Sequence, residues 1–199
     1  MDDSGTDEAL MLRYRDGEVA AFTPLYERHK GALYRYLLRQ CRQPAMAEEL
    51  FQDIWMNLIR ARERYEVRAK FKTYLFTLAH NRLIDYYRRQ SSGVPVSFDD
   101  DPDDPLIDQL PAPNHVEPQN AVDARRQMRQ LFSALENLPA PQREAFLLRE
   151  ETGMSLEEIA EVTGVNMETA KSRLRYAVAK LRRALGTGAT RDSDGEAQS

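Results

Sequence analysis

The sequence predicts an all-α protein made of two small helical domains joined by an acidic, flexible linker. Apolar residues recur at intervals of three and four rather than two, and β-branched alternation is scarce, which is the helical period. Charge is partitioned along the chain. Between Arg89 and Arg125 there is no lysine or arginine, whereas Asp99, Asp100, Asp101, Asp103, Asp104, Asp108, Glu117 and Asp123 all fall there with most of the prolines. With 199 residues, 42% hydrophobic and 30% charged, the chain can bury one ordinary core or two small ones, and two fit this partition.

The elements follow in order. Residues 1–20 read as an N-terminal segment, partly flexible. The first domain, residues 21–90, opens with a stripe of Phe22, Leu25, Tyr26, Leu33, Tyr34, Leu37 and Leu38. Leu50, Ile54 and Leu58 make the next, with Trp55 and Ile59 at its flank, and a third runs from Phe71 through Leu75, Leu78, Leu83 and Tyr86. Gln43-Pro44 and Glu66-Val67 lie between stripes as breaks, so three or four antiparallel helices in a bundle are the economical arrangement. Residues 91–121 have the composition of a disordered tether.

The second domain, residues 122–185, begins with a helix from about Val122 to Leu138 that Pro139 and Pro141 close, followed by a helix over "QREAFLLREE". Ser155 and, three residues later, Glu158 form a capping box, so a helix starts at about Leu156. It is expected to bury Leu156, Ile159, Ala160 and Val162 and to end at Gly164, which suits a left-handed turn. Asn166 then caps a long final helix. Residues 186–199 are polar and glycine-rich and read as a disordered tail.

Several functional classes are excluded by composition. The longest apolar runs, such as "LIDYY" and "AFLL", fall far short of the roughly 20 residues a bilayer span needs. The start "MDDSGTDEAL" lacks the basic and apolar regions of a signal peptide, so a cytoplasmic protein without membrane insertion is expected. Cys41 is the single cysteine and has no CxxC or Cys/His grouping around it. No Glu-x-x-His occurs, and nothing completes a catalytic or metal constellation around His80 and Asp85. No metal, no cofactor and no enzymatic activity are expected.

The stretch "SLEEIAEVTGVNMETAKSRLRYAVAKLRR" carries the clearest chemistry. On its final helix, steps of about 100° put Ala170, Leu174, Ala177 and Leu181 on one face and Glu168, Ser172, Arg175 and Ala179 on the other, flanked by Lys171 and Arg182. A helix, a glycine turn and a second helix with small and basic residues outside is a helix-turn-helix, whose second helix enters the major groove. Lys171 and Arg175 can reach guanine edges there, and Thr169 and Ser172 can contact phosphate or base. A helical hairpin with a merely solvated charged face is the rival reading. Once the linker and tail are set aside, both flanking segments keep a basic surplus despite the net charge of −4.

The first domain offers two further sites. Glu49, Gln52 and Asp53 lie on one side of a helix whose other side carries Leu50, Ile54 and Leu58; taken alone this is an ordinary solvated face. "RYEVRAKFKTYLFTLAHNRLIDYYRRQ" mixes rings and cations as single-strand binders do. Core packing competes for these rings. Phe71, Leu75, Leu78 and Leu83 are assigned to the interior, and Lys70, Lys72, Tyr74, Asn81, Arg82, Arg88 and Arg89 to nucleic acid.

Together, "LENLPAPQREAFLLREETGMSLEEIAEVTGVNMETAKSRLRYAVAKLRRAL" resembles the fourth conserved region of bacterial RNA polymerase sigma factors, and "AEELFQDIWMNLIRARERYEVRAKFKTYLFTLAHNRLIDYYRR" resembles the second. An acidic linker in place of the middle domain is similar to the extracytoplasmic-function (ECF) group. The resemblance covers residues 21–185. It implies that residues 21–90 are the region 2 domain, in which Glu49, Gln52 and Asp53 dock core RNA polymerase. Lys70, Lys72, Tyr74, Asn81, Arg82, Arg88 and Arg89 would then recognise and melt the minus-ten element, around a flipped base. The tryptophan usual in the family near Tyr74 is a tyrosine here. Residues 122–185 would be region 4, with Glu168, Thr169, Lys171, Ser172 and Arg175 reading the minus-thirty-five element of promoter DNA. The linker, through Asp99 to Asp104, would thread the polymerase. An anti-sigma factor is expected as a partner by analogy. A stand-alone helix-turn-helix regulator is the alternative; it leaves the N-terminal sites without a task.

Overall fold

The computed structural model describes residues 5–91 and 118–189, and all regular structure among them is helical. Eight α-helices follow in chain order: α1 (Asp7–Arg15), α2 (Phe22–Cys41), α3 (Pro44–Ala61), α4 (Phe71–Ser91), α5 (Pro118–Glu136), α6 (Ala140–Thr152), α7 (Leu156–Thr163) and α8 (Met167–Ala189). Short 3-10 turns at Val19–Ala21 and Arg62–Arg64 complete the described elements.

The local signals explain most boundaries. The α2 helix ends where Arg42 turns left-handed at φ 59°, and Pro44 opens α3 at a position where its missing N–H is not needed. Between Ser155 and Glu158 both hydrogen bonds of the capping box are present: the Glu158 N–H donates to Ser155 Oγ at 3.2 Å and the Ser155 N–H to Glu158 Oε2 at 2.8 Å. At its other end α7 stops on Gly164, at φ 64°, a left-handed conformation that is costly with a Cβ. The Thr169 N–H donates to Asn166 Oδ1 at 2.8 Å, which caps α8.

Four features differ from the sequence reading. The α5 helix starts at Pro118 rather than at about Val122, inside the stretch read as linker. Within the N-terminal segment, α1 is a capped helix that buries Leu10, Met11 and Tyr14; its apolar residues are too few and too clustered to announce a helical period. Pro141 does not close α5 but falls in the first turn of α6, where a proline is tolerated. The α8 helix runs to Ala189, past the point at which the polar tail was expected to begin. The Asp99 to Asp104 cluster and residues 190–199 lie outside the described residues.

The chain divides into two compact units. Described residues within 1–98 and 147–170 form one, and those within 99–146 and 171–199 form the other. In the first, α1 to α4 bury Leu25, Leu33, Leu37, Ile54, Leu58, Phe71, Leu75 and Phe76, and α7 packs on α4. Full burial of such a side chain stabilises by about 1.5–3 kcal/mol. An aromatic cluster joins α1, α2 and α3: Phe22 meets Tyr14 at 5.1 Å and Trp55 edge-on at 5.6 Å, and Tyr26 meets Trp55 at 5.1 Å between centroids. Glu8 of α1 ties the start of α4 to this bundle, its Oε1 accepting the Phe71 N–H at 2.7 Å. In the second unit Phe132, Leu135, Leu138, Ala177 and Leu181 form the core, with Leu131, Ala134 and Phe146 packed against it.

Candidate functional site

The first candidate surface lies on α3. Ala47, Leu50, Ile54 and Leu58 face inward, so the helical period leaves Glu49 and Gln52 exposed and Asp53 half-buried. Among the described residues neither Glu49 nor Gln52 has an ion pair or hydrogen bond, which leaves a carboxylate and an amide open to a partner. Met56, one turn on, is 45% exposed, an apolar residue that the sequence reading did not assign to this face. Beside Gln52 runs an open groove between α2 and α3, lined by Tyr26, Lys30, Tyr34, Glu48 and Phe51. Such a surface has the mixture of apolar area and convergent polar groups that suits docking of another protein.

The second surface is α4 and the loop before it. Phe71, Leu75 and Leu83 are buried as expected, and Leu78 is half-buried. Lys70, Asn81, Arg88 and Arg89 are exposed, while Lys72, Tyr74 and Arg82 are half-buried. Several of these side chains have protein partners. Arg82 is paired with Asp53, which brings together one residue of the α3 face and one of the α4 face. Tyr74 packs its ring edge-on to Tyr65 at 5.3 Å, and burial pushes its hydroxyl pKa up. The Tyr65 hydroxyl is buried without a hydrogen-bond partner among the described residues, and its pKa is pushed up to about 12, by desolvation first and then by the nearby Glu8, Tyr74 and Asp7.

Lys70 and Lys72 share one carboxylate. Lys70 Nζ lies 2.9 Å from Glu158 Oε1 and Lys72 Nζ 3.2 Å from Glu158 Oε2. Glu158 therefore has two tasks, capping α7 and neutralising the entrance to α4. Burial would raise its pKa, but the Ser155 N–H and the two lysines outweigh that and hold it below the ordinary 4.5. A second shared carboxylate, Glu151, sits between Arg35, at 2.7 Å, and Arg39. Neither carboxylate announces these partners in the sequence, since they lie about a hundred residues away.

The third surface is α8. Ala170, Ala177 and Leu181 are buried, whereas Glu168, Lys171 and Arg175 are exposed and Thr169 and Ser172 half-buried, as the helical steps predict. Leu174 is half-buried rather than fully interior. The Arg175 guanidinium lies 5.1 Å from the centre of the Tyr176 ring, and Tyr176 is 52% exposed. This tyrosine was not among the sequence candidates because a lone ring in a helix reads first as core. No group of three or more metal-ligating side chains occurs among the described residues.

The family models agree with this geometry. Residues 25–93 match Sigma-70 region 2 and residues 128–181 match Sigma-70, region 4. RNA polymerase sigma factor CarQ of Myxococcus xanthus is 32% identical over 186 residues, covering 88% of this chain and 95% of CarQ. The ECF RNA polymerase sigma factor SigK of Mycobacterium sp. (strain KMS) is 29% identical, with 90% of each chain covered. The chain belongs to the ECF group of RNA polymerase sigma factors. It directs RNA polymerase to promoters, and the stand-alone regulator is not favoured, because region 2 accounts for the N-terminal half. Among solved structures, CnrH in complex with the cytosolic domain of CnrY shares the fold, with a TM-score of 0.67 at 23% identity over 92% of this chain and 99% of CnrH. Sigma factor RpoE in complex with the anti-sigma factor NepR from Bartonella quintana shares it too, with a TM-score of 0.63 at 24% identity over 83% of this chain and 96% of RpoE. No described helix of this sigma factor is long and apolar enough to cross a membrane.

Proposed function

We propose that this ECF sigma factor divides its task among the three surfaces. The outer face of α3, through Glu49, Gln52 and Asp53, docks core RNA polymerase, where carboxylates accept charge-assisted hydrogen bonds from basic partners. Lys70, Lys72, Tyr74, Asn81, Arg82, Arg88 and Arg89 engage the minus-ten element, cations following the backbone and Tyr74 offering a stacking surface. Glu168, Thr169, Lys171, Ser172 and Arg175 of α8 read the minus-thirty-five element in a major groove about 12 Å wide. On this reading residues 21–90 and 122–185 are the region 2 and region 4 domains. The observation that carries the reading is α8 itself: its small and apolar side is buried while Glu168, Lys171 and Arg175 are exposed, directly after a glycine turn.

The protein acts in the cytoplasm and has no catalytic chemistry of its own, since RNA synthesis belongs to the polymerase. An anti-sigma factor holds it silent; RpoE with NepR supports this by analogy of fold. Charge reversal separates the surfaces. Arg175→Glu is expected to weaken retention of promoter DNA by the holoenzyme while sparing polymerase association, and Glu49→Lys with Gln52→Ala to do the reverse. Equal loss of both activities in either variant contradicts the division.

A further inference from the structure

The shared carboxylates have a consequence for the free protein. Glu158 and Glu151 come from α7 and the end of α6, yet the cations they neutralise belong to α2, α4 and the loop before α4. Both carboxylates are well covered, with side chains only 12% and 6% exposed, and they and their four basic partners belong to the same compact unit although about a hundred residues separate them in sequence. Lys72 also approaches the Thr152 carbonyl at 3.5 Å, so the C-terminal residue of α6 joins α7 beside the entrance to α4.

We propose that Glu151 and Glu158 form an acidic latch that masks Lys70 and Lys72 from nucleic acid. A phosphate and a carboxylate compete for the same ammonium groups, so each ammonium held at 2.9–3.2 Å by a largely buried carboxylate must give up that ion pair to bind a DNA backbone. The latched chain is a closed form, and engagement of minus-ten DNA requires α7 to leave α4. Arg35 and Arg39 secure the second point of attachment through Glu151, so opening breaks both points together. The pairing is partly exposed on the lysine side, with Lys70 67% exposed, which makes the latch sensitive to ionic strength. Glu158 is well suited to this dual use because its hydrogen bond with the Ser155 N–H orients the carboxylate independently of the lysines.

This inference rests on the assignment of Lys70 and Lys72 to nucleic acid, and the test separates the two. Glutamine preserves a capping box but removes the charge, so the variant is Glu151→Gln with Glu158→Gln in the full chain. Its charge-matched control is Glu150→Gln with Glu161→Gln, two exposed carboxylates on the same helices. Two readouts are taken without polymerase: the separation of fluorophores placed on α4 and α7, and the affinity for a labelled oligothymidylate across a salt series.

The latch predicts a longer separation, DNA binding tighter by roughly fivefold or more than in the control, and a steeper salt dependence from about two additional phosphate contacts. An unchanged separation overturns the latch. A longer separation with DNA affinity equal to the control overturns the masking and places the fault in the assignment of Lys70 and Lys72. In the opened variant, Lys70→Gln with Lys72→Gln is expected to remove the gain; a gain that survives also overturns the masking.

Discussion

The α3 face and the entrance to α4 are both polar surfaces of the same unit, but they stand in opposite conditions. Glu49 and Gln52 face outward without partners among the described residues, whereas Lys70 and Lys72 are both engaged by Glu158. On the α3 face Glu49 and Gln52 are open while Asp53 is paired with Arg82; at the entrance to α4 both lysines would have to exchange one anion for another to bind a phosphate. On the proposed division of tasks this difference sets an order, in which polymerase docks first and DNA gains Lys70 and Lys72 only once α7 leaves α4.

The largest expected effect comes from removing the support beneath the open site. Ile54 is fully buried under the α3 face, so Ile54→Ala should destabilise the N-terminal unit by about 2–5 kcal/mol. Urea unfolding followed by fluorescence of Trp55, the sole tryptophan and buried in that unit, measures it; a loss under about 1 kcal/mol would mean that α3 is held from elsewhere.

The engaged site is attacked through the helix that carries Glu158. Gly164→Ala puts a Cβ on a left-handed residue, a cost of about 1–2 kcal/mol although the space around it is open. Ser155→Ala removes one half of the capping box at the other end of α7 and should cost about 1 kcal/mol. In both variants hydrogen exchange along α7 should accelerate while that of α3 is unchanged. Equal acceleration in the two helices would erase the distinction between the sites.

Acid gives the smallest effect and sharpens the comparison. Because the folded Glu158 pKa lies below its ordinary value of 4.5, its contribution is fully present above that value. The contribution is then lost as pH falls through the lower, folded value. The α4 to α7 separation should therefore hold at neutral pH and lengthen below about pH 4.5, and Glu158→Gln should flatten that transition. A transition of the same size in the variant assigns it to another carboxylate.

What could be read in the sequence was local. The capping box of Ser155 and Glu158, the left-handed Gly164, the Asn166 cap and the inward stripe of Leu50, Ile54 and Leu58 all depend on neighbours within a turn or two, and all are present. The outward positions Glu49, Gln52, Lys171 and Arg175 followed from the same period. Pairings across long separations were not legible: Glu8 on the Phe71 N–H, Asp53 on Arg82, Glu151 on Arg35 and Glu158 on Lys70 have no periodicity to betray them. Tyr74 shows the same limit in another form, because a ring that looks available for stacking in the sequence already has Tyr65 against it.

The most direct test of the central claim is run-off transcription from a genomic promoter library with bacterial core polymerase, in the presence and absence of the purified protein. The account predicts specific new transcripts that disappear with Glu49→Lys and Gln52→Ala on α3 and separately with Arg175→Glu on α8. Transcripts indifferent to the α3 substitutions, or no new transcripts beside sequence-specific DNA binding by the protein alone, would contradict it.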